Sequence, residues 1–383
     1  MRILYIITRS DLGGAQRHVL KLISSFAGRE QVALSCGEEG LLTRSAREIG
    51  VPVFIVSSLA RRVSPHRDMK AFFELRRLIR AWRPDLVHCH SSKAGIVGRF
   101  AAYAENTESI FTAHGWSFAD GVGFKRKLLS IPCEWLAGKT GAHVIVASNY
   151  ERGLGIRHRA IAEDRVHAIY EGAEDSTARA RPGARDVPNL VMVARFSAQK
   201  AHRILLRAAA GIEQPFNLWL VGDGPLLESM QAEAKRLQMG NRVRFLGSRS
   251  DVPELLANAH IFVLASHYEG VPMCVIEAMR ASLPVVASDV GGLHECVENG
   301  KTGFLVERGN IEAMRLKLQL LIADPQLREH LGNASRKLYE ERFLITAGEI
   351  VNQTMHVYER ALSFGPCAPT GIGPLPSLPP REL

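Results

Sequence analysis

Two glutamates eight residues apart, Glu269 and Glu277, bracket the most informative stretch of the sequence: Ser266-His267-Tyr268-Glu269-Gly270-Val271-Pro272-Met273-Cys274-Val275-Ile276-Glu277-Ala278-Met279. A carboxylate accepts hydroxyl hydrogen bonds in pairs, which is the chemistry of sugar recognition. The apolar run Ile261–Leu264 reads as a strand feeding this loop. Gly270 and Pro272 shape the turn, and Met273 onward has helix-forming content. With Glu269 in the loop and Glu277 on the first helical turns, both can reach one ligand. Arg195 follows the run Leu190–Val193, and Lys200 comes five residues later, before the helical pattern His202–Ala210. Two cations at a strand-to-helix junction can clamp a diphosphate, although an arbitrary Arg/Lys pair is more often two solvated charges. Val221-Gly222-Asp223-Gly224-Pro225 and Ser288-Asp289-Val290-Gly291-Gly292 are further strand-end glycine turns, and the first reads by itself as a structural turn.

In the first half, Gly13-Gly14 follows the run Ile3–Ile7 and opens a helical pattern from about Ala15 to Phe26. Glycines there expose N–H groups at a helix N-terminus, which suits an anion, though a structural turn fits equally well. His114 closes a strand pattern, and the carboxyl ends of parallel strands form the ligand crevice of open α/β sheets. His88 and His90 flank Cys89. Read as pointing to opposite faces of a strand, they suit core histidines better than metal ligands.

Positioning such loops takes strands that end side by side. Apolar runs at Ile3–Ile7, Gln31–Ser35, Val53–Val56, Leu86–His88, Ser109–Thr112 and Val144–Ala147 alternate with helical patterns. Leu190–Val193, Asn217–Val221, Val243–Leu246, Ile261–Leu264, Val285–Ala287 and Gly303–Val306 repeat the scheme. Continuous Val/Ile/Leu runs mean strands buried on both faces, as in parallel sheets covered by helices. Two such series imply an α/β protein with two doubly wound domains, residues 1–170 and 190–344. Residues 171–189 read as a linker, and a helix at about 345–362 is expected to pack back on the first domain. The Pro/Gly-rich tail, 363–383, reads as disordered.

The 383 residues are 46% apolar and 23% charged, which excludes a disordered or collagen-like chain. The net charge of +9 is uneven: 25 basic against 15 acidic residues up to position 170, then 23 against 24, so the halves carry +10 and −1. Such asymmetry suggests one domain facing something anionic. It does not suggest nucleic acid, because the basic excess lacks interleaved aromatics and a reading motif. Six scattered cysteines without a C-x-x-C pair fit neither a zinc site nor a disulfide framework. The N-terminal apolar run is too short for a signal peptide, and no segment reaches 18 apolar residues, so a cytoplasmic protein is expected.

The chain resembles a retaining glycosyltransferase of the GT-B fold, family 4, over about residues 1–360. Glu269–Glu277 matches that family's E-x7-E signature. Arg195…Lys200, Val221–Pro225, Leu246-Gly247, Asp289–Glu295 and Asn299-Gly300-Lys301-Thr302-Gly303 follow in order. The resemblance implies two Rossmann-like domains facing an interdomain cleft, with the nucleotide-sugar donor against the second. Arg195 and Lys200 would neutralise the leaving diphosphate. Glu277 would bind the ribose hydroxyls and Glu269 the sugar hydroxyls, with the backbone of Gly270, Val271, Pro272 and Met273 near sugar and phosphate and Gly222 also on the donor. His114 would lie close to the reacting sugar, and Gly13 and Gly14 under the phosphates near the acceptor. Front-face attack, assisted by the leaving phosphate, would keep the anomeric configuration. No D-x-D occurs in the chain, which fits metal independence, and no cofactor is expected beyond the UDP- or GDP-sugar itself. The sequence departs from the family at Ala201 and Ser282, where glycine is usual, and a local adjustment is expected at Ser282. It also departs at Glu171-Gly172-Ala173-Glu174, where Asn-Gly-Val-Asp is usual.

The basic half suggests the acceptor. The segment from Arg67 to Arg83 reads as a cationic amphipathic helix, with Phe72, Leu75, Leu78 and Ile79 packing inward and an Arg76, Arg77, Arg80 edge toward anionic lipid. Phe124-Lys125-Arg126-Lys127-Leu128-Leu129 is similar. The expected activity is transfer of a sugar to a lipid-linked or polysaccharide precursor at the inner face of the membrane. A sugar-nucleotide epimerase and a non-catalytic nucleotide-sugar-binding partner are the rival readings. Alanine at Glu269, Lys200 or Arg195 is expected to abolish transfer without unfolding the protein.

Overall fold

Where Val, Ile and Leu run without polar interruption, strands form with both faces covered. The computed structural model describes residues 1–363 apart from Leu12, and the chain divides into two units. The tail expected to be disordered lies outside the described residues, except Ser363. In the first unit, β1 (Arg2–Ile7), β2 (Gln31–Cys36), β3 (Val53–Ile55), β4 (Leu86–His90), β5 (Glu108–Ala113), β6 (His143–Val146) and β7 (Val166–Ala168) make one parallel sheet in the order β3-β2-β1-β4-β5-β6-β7. Helices α1 (Gly14–Phe26), α2 (Leu41–Glu48), α3 (Pro65–Trp82), α4 (Ser92–Ala104), α5 (Phe124–Gly138) and α6 (Asn149–Arg157) connect the strands. The sheet centre is dry, with Ile3 to Ile7 fully buried. Strand β7 escaped the sequence reading because Val-His-Ala is a three-residue edge with no apolar run.

The second unit, Glu171–Thr346, has six parallel strands in the order β10-β9-β8-β11-β12-β13. They are β8 (Asn189–Val193), β9 (Asn217–Val221), β10 (Val243–Gly247), β11 (Ile261–Leu264), β12 (Val285–Ser288) and β13 (Gly303–Val306). Its helices are α7 (His202–Ala210), α8 (Leu227–Arg236), α9 (Val252–Ala257), α10 (Met273–Arg280), α11 (Leu293–Cys296), α12 (Ile311–Ala323) and α13 (Pro325–Arg342). The stretch before β8, read as a linker, is not a loose tether. Buried Arg328 donates to the carbonyls of Pro182 (2.6 Å) and Ala184 (2.7 Å), and Tyr339 donates to Ala173 O (2.7 Å), which ties it to α13. The chain then returns to the first unit as α14 (Ala347–Ser363), where Tyr358 bonds Tyr5 (2.9 Å) and His88 Nδ1 (2.6 Å).

Each sheet reverses its strand order once, between β1 and β4 and between β8 and β11. Ligands of open α/β sheets sit at the carboxyl ends of the strands at such a switch point. Gly13-Gly14 follows β1, and His90 ends β4. Arg195 and Lys200 follow β8, and Glu269 follows β11.

Candidate active site

On the second unit, Lys200 and Glu269 meet. Nζ of Lys200 donates to Oε1 of Glu269 at 2.5 Å, and both side chains are largely buried, 15% and 5% exposed. The same oxygen accepts from Ser266 Oγ at 2.5 Å, while Gln199 Nε2 reaches Oε2 at 3.4 Å. Burial opposes the ammonium charge of Lys200, but Glu269 beside it outweighs burial and holds the group above the usual lysine range. The half-buried Cys274 thiol marks the field here. Burial pushes it up to about 12; Lys200 draws it down, while Glu269 and Glu277 raise it further. Glu277 lies one helical turn beyond Cys274 on α10, whose first turn has no side-chain cap. Arg195 shares the β8–α7 loop with Lys200 but stays exposed and outside the ion pair.

Two glycine turns hold these loops. Gly222 (φ +137°) lies flush against Ala194, so a Cβ would collide with the Ala194 carbonyl oxygen; Phe196 N–H also donates to Asp223 O at 3.0 Å. Gly291 (φ +59°) supports the Glu269 carbonyl in the same manner, and Gly292 N–H donates to Gly270 O at 3.1 Å. Gly222 therefore braces the Arg195 loop, and Gly291 braces the Glu269 loop. The departures at Ala201 and Ser282 resolve differently. Ala201 (φ −73°) needs no glycine, and the adjacent His202 stacks on Phe196 at 4.1 Å. Ser282 takes the left-handed conformation itself (φ +66°), so strain replaces the expected adjustment.

The first unit gathers His18, His88, His90 and His114. Rings of His88 and His90 are 4.2 Å apart, against the expectation that they point to opposite faces, because alternate residues of a strand share a face. Both are fully buried, and burial holds both imidazoles well below the usual range. His88 is bonded by Tyr358 and by Thr112 (2.7 Å). His90 Nδ1 lies 3.1 Å from His114 Nε2, while its own Nε2 is buried without a partner. A bare lone pair is cheaper to bury than an N–H, so His90 carries its proton on Nδ1 and donates it to His114. Gly13 is the N-cap of α1 in extended conformation, and a Cβ on Gly14 would meet nothing within 4 Å. The fold does not require glycine at position 14. Among the described residues, no group of three or more His, Cys, Asp or Glu is arranged to hold a metal ion.

The profile of Glycosyltransferase Family 4 matches residues 12–176, and that of Glycosyl transferases group 1 matches residues 175–338. Bacillus subtilis EpsD, named as a glycosyltransferase, is 30% identical over 289 residues, 71% of this chain and 76% of that one. The chain belongs to glycosyltransferase family 4. The UDP-Gal:alpha-D-GlcNAc-diphosphoundecaprenol alpha-1,3-galactosyltransferase of Escherichia coli is 28% identical over 349 residues, 85% of this glycosyltransferase and 89% of that chain. Anabaena HepE, solved in complex with UDP, superposes with a TM-score of 0.77 at 21% identity over 94% of this chain and 100% of its own, and shares the GT-B fold.

Several residues of this glycosyltransferase were not evident from its motifs. Ser266 and Cys274 lie inside the Ser266–Met279 run, which was a usable signal for both; Gln199 had none. The α3 edge is less basic than its sequence: Arg76 and Arg80 both bind Glu105, at 2.6 and 2.5 Å. Leu75 and Ile79 are buried as read and Phe72 is half-buried, but Phe73 and Met69 face outward, 56% and 57% exposed. Among the described residues, no helix is long and apolar enough to cross a membrane.

Proposed function

We propose that this glycosyltransferase transfers a sugar, with retention of configuration, from a UDP-sugar to a lipid-linked precursor of a cell-surface polysaccharide. The observation carrying the donor half is the Lys200–Glu269 pair at the second switch point, with Arg195 and Glu277 on the flanking loop and helix. In this reading, Lys200 and Arg195 take up the charge of the leaving diphosphate, so no metal is called for. Glu269, held by Ser266 and Gln199, presents its remaining lone pairs to sugar hydroxyls, and Glu277 presents its own to the ribose. Pairing with Glu269 keeps Lys200 charged and fixed before the donor arrives. His114, with its Nε2 3.1 Å from His90 Nδ1, is held at the strand end where the reacting sugar would lie. The Escherichia coli relative named for UDP-Gal and a diphosphoundecaprenol acceptor supports both substrate classes.

The acceptor's lipid supports a peripheral position on anionic membrane through Met69, Phe73 and Arg77, which lie on one exposed face of α3. Incubation with radiolabelled UDP-sugars and a lipid-diphosphate sugar acceptor tests the reading. Product should form with wild type and not with Lys200→Met or Arg195→Ala. Undiminished product from both variants overturns it.

A further inference from the structure

The first unit contains a cavity of about 610 Å³ at its switch-point end, within the size range of ligand sites. Its lining is mixed in chemistry. The start of α4, Ser117 and Arg126 supply polar lining, and Val63, Ile96 and Leu129 supply apolar lining. The first turn of α4 carries no side-chain cap, so its amides and dipole face an anion without competition. Of the lining cations, Lys93 is neutralised by Asp68 at 2.5 Å, and Arg9 is held by Asp11 and Glu38. Among the described residues, Arg126 has no carboxylate partner and donates only to Ser117 Oγ at 3.1 Å, and Ser117 in turn bonds Ser92 Oγ at 2.8 Å. Arg61 likewise makes no ion pair among the described residues. Of the apolar lining, Val63 and Leu129 are 59% and 52% exposed.

Two uncompensated guanidinium groups and open helix amides beside an exposed aliphatic wall match a molecule that is doubly anionic at one end and aliphatic next to it. We propose that this cavity holds the diphosphate and first isoprene units of a polyprenyl diphosphate acceptor, with the diphosphate between Arg126, Arg61 and the α4 N-terminus and the chain leaving over Leu129 and Val63. The inference deepens the lipid-linked-acceptor reading above and rests on it.

The probe is farnesyl diphosphate, titrated calorimetrically into the full chain with the donor site saturated by UDP. Inorganic pyrophosphate and farnesol serve as the head-only and chain-only arms. Farnesyl diphosphate should bind at least tenfold more tightly than either. Arg126→Ala should weaken farnesyl diphosphate and pyrophosphate alike by tenfold or more, whereas Leu129→Gln should weaken only farnesyl diphosphate. Half-buried Cys133 lines the cavity and reports location without mutation. Its alkylation by iodoacetamide, followed by peptide mass spectrometry, should slow when farnesyl diphosphate is bound. Equal affinity for all three probes, unchanged binding in both variants, or unprotected Cys133 overturns the assignment. Failure here with UDP binding and sugar transfer intact leaves the glycosyltransferase reading standing; loss of UDP binding by wild type would instead sink that reading.

Discussion

Glu269→Gln isolates the charge of the Lys200–Glu269 pair. The amide keeps the shape and most of the contacts with Ser266 and Gln199, but Lys200 is left largely buried without its counter-charge. Removing one partner of a buried pair costs about 3–5 kcal/mol, and the 15% exposure of Lys200 places this case near 3. A second route limits the loss: Lys200 can shed its proton. For a lysine whose unfolded pKa is about 10.4, that costs about 4.6 kcal/mol at pH 7 but only about 2 at pH 9. In wild type, the raised pKa of Lys200 contributes stability that is fully present below the unfolded value and lost as pH climbs through the folded one. Wild type and Glu269→Gln should therefore differ by about 3 kcal/mol at pH 7 in urea unfolding followed by circular dichroism, and converge toward pH 10. Lys200→Met with Glu269→Gln should recover most of the loss, since neither charge remains. A single-variant loss below about 1 kcal/mol at pH 7, or a double variant no more stable than the single, refutes the reasoning. Alanine at Glu269 likewise leaves Lys200 without its counter-charge and should cost stability as well as transfer.

Gly14→Ala should leave stability unchanged or raise it by up to about 1 kcal/mol, since glycine is the poorer helix former, while weakening acceptor use; an unchanged acceptor KM would remove Gly14 from the site. Gly291→Ala should do the opposite, destabilising and displacing the Glu269 loop, seen as a lower melting temperature together with weaker UDP-sugar binding. Ser282→Gly should stabilise by about 1 kcal/mol by relieving the left-handed serine, read as a higher urea midpoint. His143 and His167 lie 2.9 Å apart, and burial lowers both to about 4. Between pH 6.5 and 4 the unfolded chain binds more protons, so stability should fall with acid by up to about 1.4 kcal/mol per pH unit for each histidine. A urea midpoint flat from pH 7 to 5 would contradict this.

The strand runs were legible because parallel strands, buried on both faces, must be continuously apolar. Twelve of the thirteen strands in the structure overlap the runs read from the sequence, and only the edge strand Val166–Ala168 lacked the pattern. That Glu269, Lys200 and Arg195 stand just past strand ends was legible because each follows such a run. What could not be read was which side chains meet. Lys200 and Glu269 are 69 residues apart, and only the adjacency of β8 and β11 joins them. Cys274, whose thiol feels Lys200, Glu269 and Glu277, looked like any helical cysteine. Ser282 illustrates a different limit, since nothing in Arg280–Pro284 announces that serine will accept the conformation a glycine would.

The charge asymmetry meets the same limit. A count of +10 gives the total for the first half, but its effect depends on which acids stand near which cations. Arg99 is buried on Glu134, Arg76 and Arg80 converge on Glu105, and Lys93 and Arg9 have acids of their own. Exposed ion pairs are worth little for stability, yet they cancel the field that an anion would otherwise feel. Arg61, Arg77, Lys125 and Arg126 make no ion pair among the described residues, and each lies close in sequence to an exposed apolar side chain: Val63, Phe73, or Leu128 and Leu129. Charge left over beside exposed hydrocarbon is suited to an amphiphile rather than to a uniformly charged polymer. The surplus therefore argues for a lipid phosphate, and it does so through its neighbours rather than through its size.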